Sequence, residues 1–322
     1  MLKDLDKVGI FVLLNPFIGS GLFNLGTDLS VFWLIATFYL TFRKLSLVSL
    51  IFLPTLFFDI TLAVYIYAII SISLLNIRKL FDLLPVTVLF WLICFILEIV
   101  FPVSREILFY RSSSEFVGRG LSGFGPEPAT TAFFLLSVII LLKTRYRYLS
   151  FVLLILTQVI PIIIVGLIIL ILTDKRGVQI LLLLLVPMVA LAPIFNVGER
   201  ALFYIDVFRE LNVSGLMSDA SFFNRVRSIP TVMALLKEGS ILPLNHLSSD
   251  KIEINGFMFS REITSGILRL YNYFGLFILL LIPRVFRKMT LAKLVILVLS
   301  LFAGSPAHIF PALLLFKKFK YE

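Results

Sequence analysis

Of the 322 residues, 60% are hydrophobic and only 15% charged, with a net charge of +10, two histidines and one cysteine. Soluble globular chains carry about a quarter charged residues, so the balance excludes an ordinary soluble domain and predicts an integral membrane protein. Cys94 has no possible intramolecular partner, which excludes a disulfide framework, and the sparse histidines show no metal-ligand pattern.

In chain order, the N-terminal MLKDLDKVGIFVLL places charge before an apolar run without a small-residue cleavage site after it, and predicts a retained first helix. Asp4 and Asp6 have the spacing of a metal-binding carboxylate pair, but their place at the extreme N-terminus argues against that role. Long apolar runs at 80–101, 178–195 and 264–283 each match the roughly 20 residues that cross a bilayer core. Basic clusters punctuate the chain at Arg43-Lys44, Arg78-Lys79, Lys143 to Arg147, Lys175-Arg176, Arg284 to Lys293 and Lys317 to Lys320, a pattern that marks cytoplasmic segments. The intervals 8–42, 45–77, 148–173 and 294–316 must then leave and return, and read as helical hairpins turning near Thr27-Asp28, Asp59, Pro161 and Gly304 to His308. The 148–173 interval also fits one long tilted helix.

The resulting expectation is an all-α, polytopic membrane protein of about twelve helices, within a range of ten to twelve, forming a single domain over 1–322. Cytoplasmic segments then hold 18 of the 29 Lys and Arg against four acids, whereas the outer loops 102–128 and 196–263 hold ten bases and eleven acids. The net charge is thus a topology signal and requires no nucleic acid partner.

Those two loops hold the candidate chemistry. The first contains Arg119 and Glu127 and runs on into the next apolar segment as RGLSGFGPEPATTAFFLL, Arg119 to Leu136; the second contains SDASFFNRVRSIPTVMALLKEGSILPLNH, Ser218 to His246, and runs on into FSREITSGILRLYNYFG, Phe259 to Gly275. Ionisable groups beside the ends of apolar helices are costly unless a partner or ligand holds them. The glycines of GRGLSGFG do not form a nucleotide fingerprint, since no strand precedes them; they permit a tight re-entrant turn, tolerated at membrane depth only when buried in protein or lining a cavity.

The element RGLSGFGPEPATTAFFLL resembles the arginine, glycine and Glu-Pro-Ser segment that precedes a membrane helix in Wzy-type O-antigen and exopolysaccharide polymerases, with Glu127-Pro128-Ala129 in place of Glu-Pro-Ser. SFFNR, Ser221 to Arg225, followed by an amphipathic run and Gly239, is similar to the large periplasmic loop shared by these polymerases and the O-antigen ligases. TSGILRLYNYFGLFILLLI resembles the helix after that loop. The resemblance spans roughly Arg119 to Leu281. It implies a GT-C-like membrane glycosyltransferase of the bacterial inner membrane. Such an enzyme polymerises oligosaccharide repeat units carried on undecaprenyl pyrophosphate at the periplasmic face, without metal or cofactor. Membrane lipid and a chain-length determinant co-polymerase are the further partners to expect.

In such a reaction a sugar leaves a pyrophosphate, and arginine forks can bind the departing charge bidentately. Arg119, Arg225 and Arg227 are the first candidates for that role, with Arg261 and Arg269 beside the second loop's end. A base must take the proton of the attacking hydroxyl, and Glu127, Glu262 and His246 compete for it, with Arg225 also named among the catalytic residues. Each has a plainer reading. Glu127 fits a helix N-terminal acid, one of Arg225 and Arg227 fits a solvated loop charge, His246 fits a loop residue, and Arg269 fits an interfacial snorkel. The ligases carry a histidine just before the helix after the large loop, where this chain has Ser260-Arg261-Glu262. An O-antigen ligase is therefore the alternative within the fold, and a polysaccharide-lipid transporter or flippase the alternative outside it.

Overall fold

The computed structural model describes residues 2–15, 18, 31–42, 77–101, 120–123, 128–142, 144–174, 179, 209–210, 228–237, 251–254, 257–260, 268 and 294, apart from position 143 between them. The chain divides into two units, Met1–Val197 with Lys317–Glu322, and Gly198–Phe316. In the first unit lie α1 (Leu2–Leu14), α2 (Val31–Phe42), α3 (Ile77–Val100), α4 (Pro128–Leu141), α5 (Tyr146–Leu156) and α6 (Ile160–Thr173). The second contains α7 (Ser228–Lys237) and the strands β1 (Lys251–Ile254) and β2 (Phe257–Ser260).

α2 shows why these segments are helices that pack. It buries Trp33, Ala36, Thr37, Leu40 and Thr41, the spacing of one helical face. That face meets α1: Gly9 lies against Tyr39 and Leu40, and the Trp33 indole donates to the Leu13 carbonyl at 3.0 Å. The pairing of 9 with 40 and of 13 with 33 makes the two helices antiparallel, as expected for 8–42. α1 ends on a buried polar knot. Asn15 donates through Nδ2 to the Phe11 carbonyl (2.7 Å) and accepts the Trp91 indole N–H on Oδ1 (2.7 Å), which ties α1 to α3. Asp4 and Asp6 both lie in α1, and the Asp6 side chain is buried.

α3 matches the apolar run 80–101, and its Phe81–Val100 portion is long and apolar enough to cross a membrane. The runs 178–195 and 264–283 and the intervals 45–77 and 294–316 lie outside the described residues, apart from the single positions 179, 268 and 294. The 148–173 interval is two helices. They part at Thr157 to Val159, where Gln158 takes φ 55°, and Pro161 sits in the first turn of α6. Gly166 rests against Phe151 and Leu154 while Arg147 reaches Thr173, so α5 and α6 run antiparallel, turning a few residues before the expected Pro161.

α4 begins at Pro128, whose missing N–H costs nothing at a helix start. Every residue from Thr131 to Ile139 is buried. The helix contacts α5 and α6, and the Trp91 and Phe134 rings bring α3 within 4.0 Å between centroids.

The regular elements among the described residues are all helices except the antiparallel β1–β2 pair, in register from Lys251 opposite Ser260 to Ile254 opposite Phe257. An all-α expectation omitted this hairpin. Its cue was present as Asn255-Gly256 between short alternating segments, a favoured two-residue hairpin connection.

Candidate functional site

The described part of the glycine-rich loop, Gly120 to Gly123, is buried or half-buried among three helices. Glu98, in the last turn of α3, supplies the first attachment. The residue is only 4% exposed; Oε1 accepts the Ser122 backbone N–H at 3.1 Å and the Ser122 hydroxyl at 3.4 Å, and Oε2 accepts the Gly123 N–H at 2.5 Å. Thr131 on α4 supplies the second, donating its hydroxyl to the Ser122 carbonyl at 2.5 Å. The third comes from α5, whose Leu156 carbonyl accepts the Leu121 N–H at 2.9 Å.

Two glycines make this arrangement possible for different reasons. Gly123 has φ 55°, a left-handed conformation that L side chains avoid, and a Cβ there would run into the Phe95 ring. Gly120 has no room for a side chain because its backbone approaches the Thr157 carbonyl. Successive N–H groups at a left-handed turn form a concave anion-binding arrangement, and here the anion is the protein's own Glu98.

The sequence-derived candidates Arg119, Glu127, Arg225, Arg227, His246, Arg261, Glu262 and Arg269 lie outside the described residues. Covalent connection relates several to described elements. Arg119 is bonded to Gly120, Glu127 to the first residue of α4, Arg227 to the first residue of α7, and Arg261 to the last of β2. α7 is the amphipathic run expected after SFFNR; it buries Ser228, Thr231 and Leu235.

Glu98 was missed by sequence reasoning, which treated FWLICFILE as part of a span and considered only its cysteine. A signal existed: an acid near the end of an otherwise apolar crossing helix demands a partner. At the other end of α5, Arg147 is buried and donates to the Thr173 hydroxyl, while the Tyr148 hydroxyl donates to the Asp174 carboxylate. Comparison with protein-family models, curated proteins and solved structures finds no match.

Proposed function

We propose that this chain is a membrane-embedded glycosyltransferase that polymerises oligosaccharide repeat units carried on undecaprenyl pyrophosphate, as a polytopic protein of the bacterial inner membrane acting at the periplasmic face. The observation that carries the reading is the loop Gly120 to Gly123: it turns back into the helical body, is tied to three helices, and is bonded to Arg119, with Glu127 joined to α4 a few residues on. A rigid mount next to an arginine and a carboxylate suits a reaction that depends on positioning.

Bilayer residence is supported by the distribution of exposed side chains. α3 presents Val86, Leu89, Ile93, Ile96, Leu97 and Val100 outward while it buries Thr87 and Glu98. α6 likewise exposes Ile164, Ile168, Ile171 and Leu172. Apolar residues outside and polar ones inside suit a hydrocarbon solvent, whereas water would face an apolar patch of the kind soluble monomers avoid.

In the proposed step, the hydroxyl oxygen of the acceptor sugar attacks the anomeric carbon of the donor. The bond from that carbon to the pyrophosphate oxygen breaks, undecaprenyl pyrophosphate departs, and the hydroxyl proton passes to a base drawn from Glu127, Glu262 and His246. Arg119 holds the departing pyrophosphate through charge-assisted hydrogen bonds, the role also assigned from sequence to Arg225 and Arg227.

The test is an assay of purified protein with lipid-linked repeat unit in the presence of EDTA, comparing wild type with Glu127→Ala and Arg225→Ala. The expected result is a polymer ladder from wild type and its loss in both folded variants. Repeat unit that crosses liposomes without being consumed would replace the reading with a transporter. Placement is tested separately by Ile93→Arg, expected to cost about 2.5–3.5 kcal/mol of insertion if that face meets lipid.

A further inference from the structure

We propose that Glu98 is the positioning residue of the loop that bears Arg119, acting as a built-in anion for the backbone amides of Ser122 and Gly123; this rests on the function proposed above for that loop.

A carboxylate buried near the end of an apolar helix is unfavourable unless hydrogen bonds compensate it. Glu98 bonds two adjacent residues of the loop, Ser122 and Gly123, and each carboxylate oxygen takes one of their backbone N–H groups. Two of the three bonds hold backbone N–H groups, so the arrangement sets the path of the chain itself. Thr131 fixes the Ser122 carbonyl from α4 and Leu156 fixes the Leu121 N–H from α5. Four consecutive residues without regular structure are therefore oriented from three helices, of which α3 contributes the only carboxylate among these ties.

The same geometry argues against Glu98 as the base. Its oxygens already face N–H donors and the side chain is buried, which suits holding a loop and leaves proton transfer to the groups named above. Glu98 thus acts through the loop's backbone on whatever the loop carries. Glutamine in its place retains the shape but has one oxygen, so its NH2 must face one of the two backbone N–H groups. Aspartate keeps the charge but falls one methylene short.

The experiment combines hydrogen–deuterium exchange of peptides covering 119–128 with polymerisation kinetics on lipid-linked repeat unit, for wild type, Glu98→Gln, Glu98→Asp and Thr131→Val in detergent or lipid nanodiscs. In Glu98→Gln, exchange of the loop is expected to rise at least about tenfold while α3 and α4 stay protected. The value of kcat is expected to fall about a hundredfold, with KM within about threefold of wild type. Glu98→Asp and Thr131→Val should move both readouts the same way and less far.

Unchanged loop exchange in Glu98→Gln overturns the tether. Faster exchange with unchanged kcat overturns the positioning role and leaves a structural contact. Should α3 open together with the loop, Thr131→Val decides, because it removes a tie without touching the carboxylate: a loosened loop with reduced kcat supports the proposal, and a loosened loop with full kcat overturns it. A wild-type protein that builds no polymer overturns the proposed function and the positioning role with it, while loop exchange still reports whether the tether exists.

Discussion

The two ends of α5 are fastened in opposite ways. At its C-terminal end, the Leu156 carbonyl and the Thr157 backbone meet Leu121 and Gly120, main chain against main chain, beside a carboxylate that holds two further amides. At its N-terminal end the links run between side chains, Arg147 to Thr173 and Tyr148 to Asp174, at the edge of a basic cluster. Arg147 is buried, yet its Nε has no hydrogen-bond partner among the described residues. Main-chain ties leave no rotamer with which to adjust, whereas long side chains can find new arrangements. The first end is therefore expected to tolerate almost no substitution and the second a good deal.

The contrast can be broken at four positions, with Cys94 as a common probe: it is buried and is the sole cysteine, so its reaction with a maleimide reports opening of α3. Gly120→Val should have the largest effect, a loss of more than about 3 kcal/mol, because the added side chain meets a backbone carbonyl that cannot rotate away. Labelling of Cys94 as slow as in wild type would show that this end is looser than its geometry implies. Gly123→Ala is expected to lose about 2–3 kcal/mol from its left-handed backbone and its collision with Phe95. Adding Phe95→Leu should recover part of that loss, and strict additivity of the two substitutions would deny the contact.

At the other end, Arg147→Met should stay within about 1 kcal/mol of wild type, since an apolar side chain of similar length replaces a buried charge whose desolvation offsets its bonds. A loss comparable to that of Gly123→Ala would erase the difference between the ends. Tyr148→Phe should have the smallest effect, about 0.5 kcal/mol or less by thermal unfolding, because the hydroxyl it removes bonds between two half-buried residues.

Much of the helical layout was legible in the sequence because it depends on local composition. The length of the apolar run gives α3, the pairing of apolar arms around 8–42 and 148–173 gives two hairpins, and Pro128 marks the start of α4. The Asn-Gly cue at 255–256 was equally local and was overlooked among stronger helical signals. The glycine-rich loop was legible as a bend that must be buried, since glycines and prolines beside an apolar helix have few other uses.

What closes around that bend could be decided only by tertiary structure. Glu98 and Ser122 are separated by 24 residues and Trp91 and Asn15 by 76, and no periodicity or residue spacing encodes such pairs. Local composition settles where the chain is helical, because each helical hydrogen bond is made within four residues. Which buried polar groups meet depends on how those helices pack, and packing alone turned a carboxylate near the end of an apolar helix into the anchor of the loop.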